Sequence, residues 1–352
     1  SINPWVHGDG MEHRNSTMIS IPAAFHGEEW MLGVFAHEFF HSWNVKRIRP
    51  RSLEPFNFEK SDMSSELWFA EGFTQYYGSL LVLRSGIGTD TEYVGSTLAN
   101  LINTRMNRPG ARLYSPVNAS QMAVFVDAGV SVDKTNYPNI YTSYYPYGGA
   151  IALALDLELR QRFHRTLDDV MTAAWKKFGK PEIPYTMSGL EEVLADVTSD
   201  KQFAKEYFQK YIYGHQGADY KTLLAPAGFL LRYASEGRAF IGNPSYDEGQ
   251  GLTITSNTLR GTPLYEAGLD IDDKITALDD HPVRSLADLN RILGSHHPGM
   301  RVYIRYIHRQ LEKTAGMVLQ QDPQLEIVTY EKAGLPVTSD MLQFRKSWLG
   351  GK

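Results

Sequence analysis

The stretch His37-Glu38-Phe39-Phe40-His41 constrains this chain more than any other. On a helix, positions i and i+4 lie one above the other, so His37 and His41 can offer two imidazole nitrogens to one metal ion. Glu38 is displaced from that face by a single residue. That placement suits a carboxylate that must reach a water beside the metal without ligating the metal itself. The neighbours Trp30, Met31, Leu32, Val34, Phe35, Phe39 and Phe40 are expected to bury the rest of a helix lying within Trp30 to Val45. A polar triplet in so apolar a run is costly unless it is satisfied, and a zinc ion would satisfy it. The competing reading is two core histidines and a partnered glutamate that fall at this spacing by chance. The pattern is short, so on its own it gives the two readings equal weight.

At 352 residues the chain accommodates about two or three domains, and 42% hydrophobic residues suffice for a sizeable core. A net charge of -5 speaks against nucleic acid and anionic membranes as partners. The basic run Lys46 to Arg51 follows the motif directly and reads better as cations near helix C-terminal carbonyls than as a polyanion patch. There are no cysteines, which excludes disulfides, a thiolate nucleophile and thiolate ligands, and leaves His, Asp and Glu to hold a metal. No stretch reaches the ~18 apolar residues of a membrane span. The nearest, Gly148 to Leu159, contains Asp156 and Glu158. A soluble protein is expected, cytoplasmic or periplasmic. Ser1-Ile2-Asn3-Pro4 has neither an initiator Met nor a signal-peptide pattern, so the chain reads as a piece of something longer.

Residues 5 to 22 read as extended structure with turns. Ser64 or Ser65 is an N-cap signal for a helix from Glu66 to Arg84 that Gly86 stops, with Glu71 set among Trp68, Phe69, Phe73, Tyr76 and Tyr77. Residues 86 to 143 are mixed and turn-rich. Helical patterning returns at Gly149 to Phe163 and repeats in capped units: Thr166 to about Gly179, a capping box of Ser188 with Glu191, and Ser199 to Gly214. After about Ala225 come short β-like runs at Phe229–Tyr233, Ala239–Ile241, Leu252–Thr255, Lys274–Leu278 and Arg301–Tyr306. A helix is expected at Ser285–Leu293 and another at Ser339–Leu349, ended by Gly350.

Four stretches together resemble the glycyl aminopeptidase family of zinc metallopeptidases, gluzincin relatives of aminopeptidase N: Gly10 to Thr17, His37 to Pro50, Leu67 to Tyr77 and Ser143 to Ala150. The resemblance implies an α+β protein with a thermolysin-like, mainly helical catalytic domain (1–225, helical subdomain 149–215, incomplete at its N-terminal side), a PDZ-like domain (226–325) and a tail with a helix (326–352). It implies that His37, His41 and Glu71 bind one Zn2+ and that Glu38 is the general base. In aminopeptidase N relatives the oxyanion donor is the Tyr of Y-x-K-G. Here Tyr145-Pro146-Tyr147-Gly148 stands in that place, which gives the role to Tyr145 ahead of Tyr144 and Tyr147; Tyr147 replaces the usual lysine. Glu12 is expected to pair with the substrate's α-ammonium while the backbone of Gly10 and Met11 lines the peptide. His13 stands where those relatives have Asn, and no role is assigned to it.

Ala239-Phe240-Ile241-Gly242 is similar to a PDZ carboxylate-binding loop, and Asp272-Asp273 departs from the usual Gly-Asp, at a cost in turn geometry. The activity implied is zinc-dependent removal of small N-terminal residues, Gly or Ala, from peptides with a free N-terminus. A peptide ligand or the chain itself would fill the PDZ groove. The alternatives are a thermolysin-like endopeptidase, against which Glu12 argues, and an inactive PDZ scaffold, against which the intact His37, Glu38, His41 and Glu71 argue. Family members carry an N-terminal β domain ahead of this stretch.

Overall fold

The structure, a computed structural model, describes residues 9–20, 31–126, 136–249 and 251–350. Residues 5–8 and 21–22 of the predicted extended segment, Trp30 and the 127–135 part of the turn-rich tract lie outside these. A hairpin comes first, β1 (Asp9–Glu12) antiparallel to β2 (Thr17–Ser20). Helix α1 (Leu32–Phe40) carries the histidine motif. The predicted Glu66–Arg84 helix is α2 (Leu67–Ala70) and α3 (Gly72–Arg84), bent at Glu71 while the hydrogen-bond ladder runs through it. Gly86, at φ 88°, ends it as its sequence position implies.

The turn-rich tract contains α4 (Ala99–Asn107) and α5 (Pro109–Leu113), whose periodicity is too short and polar to read from sequence. Helix α6 (Tyr144–Phe163) begins before the predicted Gly149, capped by the Ser143 hydroxyl, so Tyr144, Tyr145 and Tyr147 belong to its first turns. Thr166 caps Leu167–Ala174 in a capping box with Asp169. The expected box at Ser188 is displaced. Thr186 is the extended residue there, and its hydroxyl accepts from the Gly189 N–H. Likewise Ser199, left-handed at φ 54°, closes Met187–Thr198, and Asp200 caps the next helix.

One apolar core joins all of these helices. Asp156, the charge that interrupts the apolar run of α6, is almost fully buried and accepts from Tyr76 Oη (2.8 Å), Arg160 Nε (3.0 Å) and the Leu167 N–H (2.9 Å). Tyr76 in turn accepts from Trp348 Nε1 (2.9 Å), which fixes the C-terminal helix against α3. Among the described residues no helix is long and apolar enough to cross a membrane.

The chain then forms β3 (Phe229–Tyr233), β4 (Ala239–Phe240), β5 (Tyr246–Asp247), β6 (Leu252–Ile254), β7 (Lys274–Leu278), β8 (His281–Pro282), α7 (Leu286–Leu293, capped by Ser285), β9 (Arg301–His308), β10 (Leu311–Val318), β11 (Gln320–Gln321), β12 (Leu325–Thr329) and α8 (Ser339–Leu349). A six-stranded sheet orders as β10-β9-β7-β6-β5 with β8 on β7, and its residues form a second apolar core with α7. β4 pairs with β11, and β3 with β12. The β3–β12 ribbon packs through Phe229 and Ile327 into the helical core. Asp272 holds φ 72° at the position where glycine is usual, a left-handed geometry that aspartate tolerates. Asp273 beside it accepts from the Asp270 N–H (2.9 Å) and pairs with His308 Nδ1 (2.7 Å).

Candidate active site

The site lies where α1, α3 and α6 cross, and glycines set how closely they approach. A Cβ on Gly78 would stand 3.1 Å from the His37 backbone, so α3 passes tightly under the first histidine. A Cβ on Gly148 would fall 2.0 Å from the Trp68 carbonyl oxygen, and one on Gly72 would fall 2.3 Å from Gly148 Cα. Only glycine at both positions lets the α2–α3 bend carrying Glu71 nest against the first turns of α6.

This crossing brings three donor atoms together. His37 Nε2 is 3.1 Å from His41 Nε2, and Glu71 Oε2 is 3.3 Å from the former and 3.1 Å from the latter. Ligands at the ~2.0–2.1 Å Zn–N and Zn–O distances on tetrahedral corners are about 3.3 Å apart, so the donor set fits one zinc-sized ion without rearrangement. His41 Nδ1 donates to the Asn44 carbonyl (2.7 Å), so that in the neutral ring the lone pair lies on Nε2, turned inward. Asn44 is buried, and its amide donates to the carbonyls of Phe69 (3.0 Å) and Ala70 (3.2 Å), tying the end of the histidine helix to the segment that presents Glu71.

Without a metal the cluster holds a proton. Burial would lower the His41 pKa, but the hydrogen bond and charge of Glu71 outweigh it and lift it to about 9. Burial would raise Glu71, and the two histidines outweigh that and hold it at about 2. Glu38 is 7% exposed, and its Oε2 has no hydrogen-bond partner among the described residues. Its pKa is raised, chiefly by burial and only partly offset by His37 and His41.

β1 runs directly over this carboxylate, because a Cβ on Gly10 would fall 2.1 Å from Glu38 Oε1. Met11 is exposed, and Glu12 reaches inward until its carboxylate clusters with Glu38 and His41. There it meets Lys46 Nζ at 2.9 Å. Lys46 thus serves the hairpin and not the helix terminus that its sequence position implies, a contact made by the packing of the hairpin on α1. The rest of the basic run is used locally. Arg47 donates to the carbonyls of Ser42 and Arg14 and to Asn15 Oδ1, and Arg49 pairs with Glu54 at 2.8 Å. Arg14 pairs with Glu182, which anchors the far end of the hairpin. His13 stays exposed.

The three tyrosines separate. The Tyr145 ring lies 6.0 Å from that of His37 and stacks on Tyr144 at 4.9 Å. Tyr147 is buried, donates to the Tyr114 carbonyl (3.1 Å) and lies under the Arg105 guanidinium. Burial raises its pKa to about 12. Phe39, expected in the core, is 58% exposed and meets Trp43 edge-on at 5.2 Å. α1 is covered by α3 at His37 and by β1 at Glu38, which leaves Phe39 on the outside. Phe39 and Trp43 line a cleft of about 480 Å³ that reaches Glu38 and the β1–β2 turn.

Comparison with known proteins places this site in a peptidase domain. Residues 30–151 match the M61 glycyl aminopeptidase family, and residues 240–318 match the PDZ domain. The chain therefore carries an M61 glycyl aminopeptidase domain and a PDZ domain in an α+β arrangement. The structure superposes on that of an aminopeptidase N family protein from Idiomarina loihiensis with a TM-score of 0.78 and 26% identity, covering 99% of this chain and 61% of that one. The serine endoprotease from Yersinia pestis (TM-score 0.22, 15% identity, 24% of this chain and 30% of that one) and the HtrA-type protease AlgW with decapeptide (0.23, 15%, 25% and 30%) are also similar in part. No curated protein sequence matches the chain.

Proposed function

We propose that this chain is the catalytic part of a zinc-dependent aminopeptidase that removes small N-terminal residues, Gly or Ala, from peptides. The observation that carries the proposal is the meeting of His37 Nε2, His41 Nε2 and Glu71 Oε2 at 3.1–3.3 Å beside the unpartnered carboxylate oxygen of Glu38. His37, His41 and Glu71 would hold the zinc, which when bound supplies Lewis acidity and lowers the pKa of water to about 7. Glu38 takes the proton of the attacking water at its unpartnered oxygen and passes it to the leaving amine. Tyr145 donates a hydrogen bond from its hydroxyl to the oxyanion of the scissile carbonyl, a role supported by its ring standing 6.0 Å from that of His37. Glu12 holds the α-ammonium, and the β1 backbone at Gly10 and Met11 lines the peptide. The preference for small residues comes from the family.

A thermolysin-like endopeptidase is the second reading, favoured by one observation: Lys46 already neutralises Glu12. Cleavage of a glycyl peptide and of its N-acetyl form by the whole protein separates the two. The aminopeptidase reading predicts at least about a hundredfold preference for the free amine, the scale of a charge-assisted contact in a dry site. Internal cleavage of the acetylated peptide at an equal rate would replace it with the endopeptidase reading.

A further inference from the structure

The side chains around Glu38 offer a metal ion two donor sets. His37, His41 and Glu71 form the first. Glu12, Glu38 and His41 form the second, with one ligand atom from each within 4.8 Å of the others. The two sets share His41, and because its Nδ1 serves the Asn44 carbonyl, both depend on the same Nε2. The second set contains the two carboxylates that the proposed mechanism needs free, the base and the amine anchor. A metal held there would occupy both.

This second set is more than two acids near each other. Glu38 is 7% exposed and its Oε2 has no hydrogen-bond partner among the described residues, a buried charge of the kind that a cation relieves. Its Oε1 is crowded by β1, where a Cβ on Gly10 would fall 2.1 Å away, so the carboxylate is held between the hairpin and the histidines. Glu12 faces it from the same strand, two residues further on.

Against a metal in that place stands Lys46. Its backbone N–H donates to the His41 carbonyl (3.0 Å), which keeps it on the segment that carries the shared ligand, and its Nζ lies 2.9 Å from Glu12 Oε1. An ammonium has three donors and no lone pair, so it satisfies Glu12 without ligating metal and repels any cation that approaches. The neighbouring arginines are committed elsewhere: Arg47 to the Ser42 and Arg14 carbonyls and to Asn15, and Arg14 to Glu182. The Lys46 and Glu12 side chains are 26% and 22% exposed, a half-open pair that a second ammonium can displace. A substrate amine can therefore take Glu12 from the lysine, and it brings the same charge.

We propose that Lys46 guards the site against a misplaced metal: it keeps zinc off Glu12 and Glu38, so that the metal loads on His37, His41 and Glu71 and the base stays free. Glu12 then always faces a cation that cannot ligate, first Lys46 and then the α-ammonium. The inference rests on the zinc reading of the first donor set.

The test is calorimetric titration of zinc into the whole protein after EDTA treatment and dialysis, for parent, K46R, K46M, K46Q and K46M/E12Q. Methionine keeps the stem of lysine and removes its charge, and glutamine is a second neutral replacement. Parent and K46R are expected to take one zinc tightly. K46M and K46Q are expected to take a second, about tenfold or more tighter than any second zinc in the parent, and K46M/E12Q is expected to return to one. Excess zinc should inhibit K46M at about a tenth or less of the concentration that inhibits the parent. A single zinc in both K46M and K46Q, a second zinc that survives in K46M/E12Q, or a second zinc in K46R as tight as in K46M would each overturn the proposal and leave the first site standing. A parent that takes no zinc would overturn both the proposal and the reading on which it rests.

Discussion

A buried carboxylate with an unpartnered oxygen, as at Glu38, costs free energy that a stable fold usually avoids. Replacing Glu38 by Gln removes the base and keeps the shape, so the variant should fold as well as the parent or better. Its kcat should fall by at least about three orders of magnitude, since the base and the proton carrier are lost together. Tyr145→Phe should lower kcat by roughly 10²-fold, the scale of one oxyanion donor, and Tyr147→Phe should act mainly on stability because its hydroxyl serves a backbone carbonyl. Steady-state kinetics on a glycyl substrate check both. A larger kcat loss in Tyr147→Phe than in Tyr145→Phe would move the oxyanion role to Tyr147. The spacing of His37, Glu38 and His41 was legible in the sequence because it follows from the helix repeat alone. Lys46 on Glu12 and Asn44 on the Phe69 carbonyl were not, because each joins elements whose packing no local pattern reports.

Among the elements, the crossing of α3 and α6 does most to assemble the site. Gly148→Ala would drive a methyl group into the Trp68 carbonyl, so the helices must separate. The expected loss is about 2–4 kcal/mol of stability, together with a fall in metal affinity as Glu71 retreats from the histidines. Chemical denaturation and a zinc titration check this; an unchanged midpoint would show that the crossing yields freely. Elements with strong end signals were legible. The ends of Phe229–Tyr233, Lys274–Leu278 and Ser339–Leu349 agree between sequence and structure. Caps with a neighbouring rival were misplaced by one or two residues, as at Thr186 and Asp200, because several Ser, Thr and Asp side chains compete and backbone φ decides. Helix α4 was missed because Asn103 and Asn107 make side-chain bonds to β12 and its approach, which masks the apolar period, and α5 because five residues are too few to show one.

For the molecule as a whole, the protonated cluster links stability to pH. The folded His41 pKa, about 9, lies above its ordinary 6.5. Its contribution in the metal-free protein is therefore complete below ~6.5 and is lost as pH rises through about 9. Glu71, held at about 2 against an ordinary 4.5, contributes above ~4.5 and loses that as pH falls through about 2. These are two sides of one interaction, worth about 3 kcal/mol. EDTA-treated protein should lose Tm between pH 6.5 and 9.5, whereas zinc-loaded protein should not, because bound metal keeps the histidines deprotonated at either pH. A gap between the two forms that does not widen with pH would remove the His41 proton from the account.

Whether His37, His41 and Glu71 form one zinc site served by Glu38 is read from the zinc-to-protein ratio of purified parent, Glu38→Gln and Glu71→Gln proteins. Parent and Glu38→Gln should each retain about one zinc through gel filtration, because Glu38 stands beside the donor set and not in it. Glu71→Gln should retain about a tenth or less, since the loss of one carboxylate ligand costs at least a tenfold in affinity. Parent protein without stoichiometric zinc, or Glu71→Gln retaining as much zinc as the parent, would contradict the account.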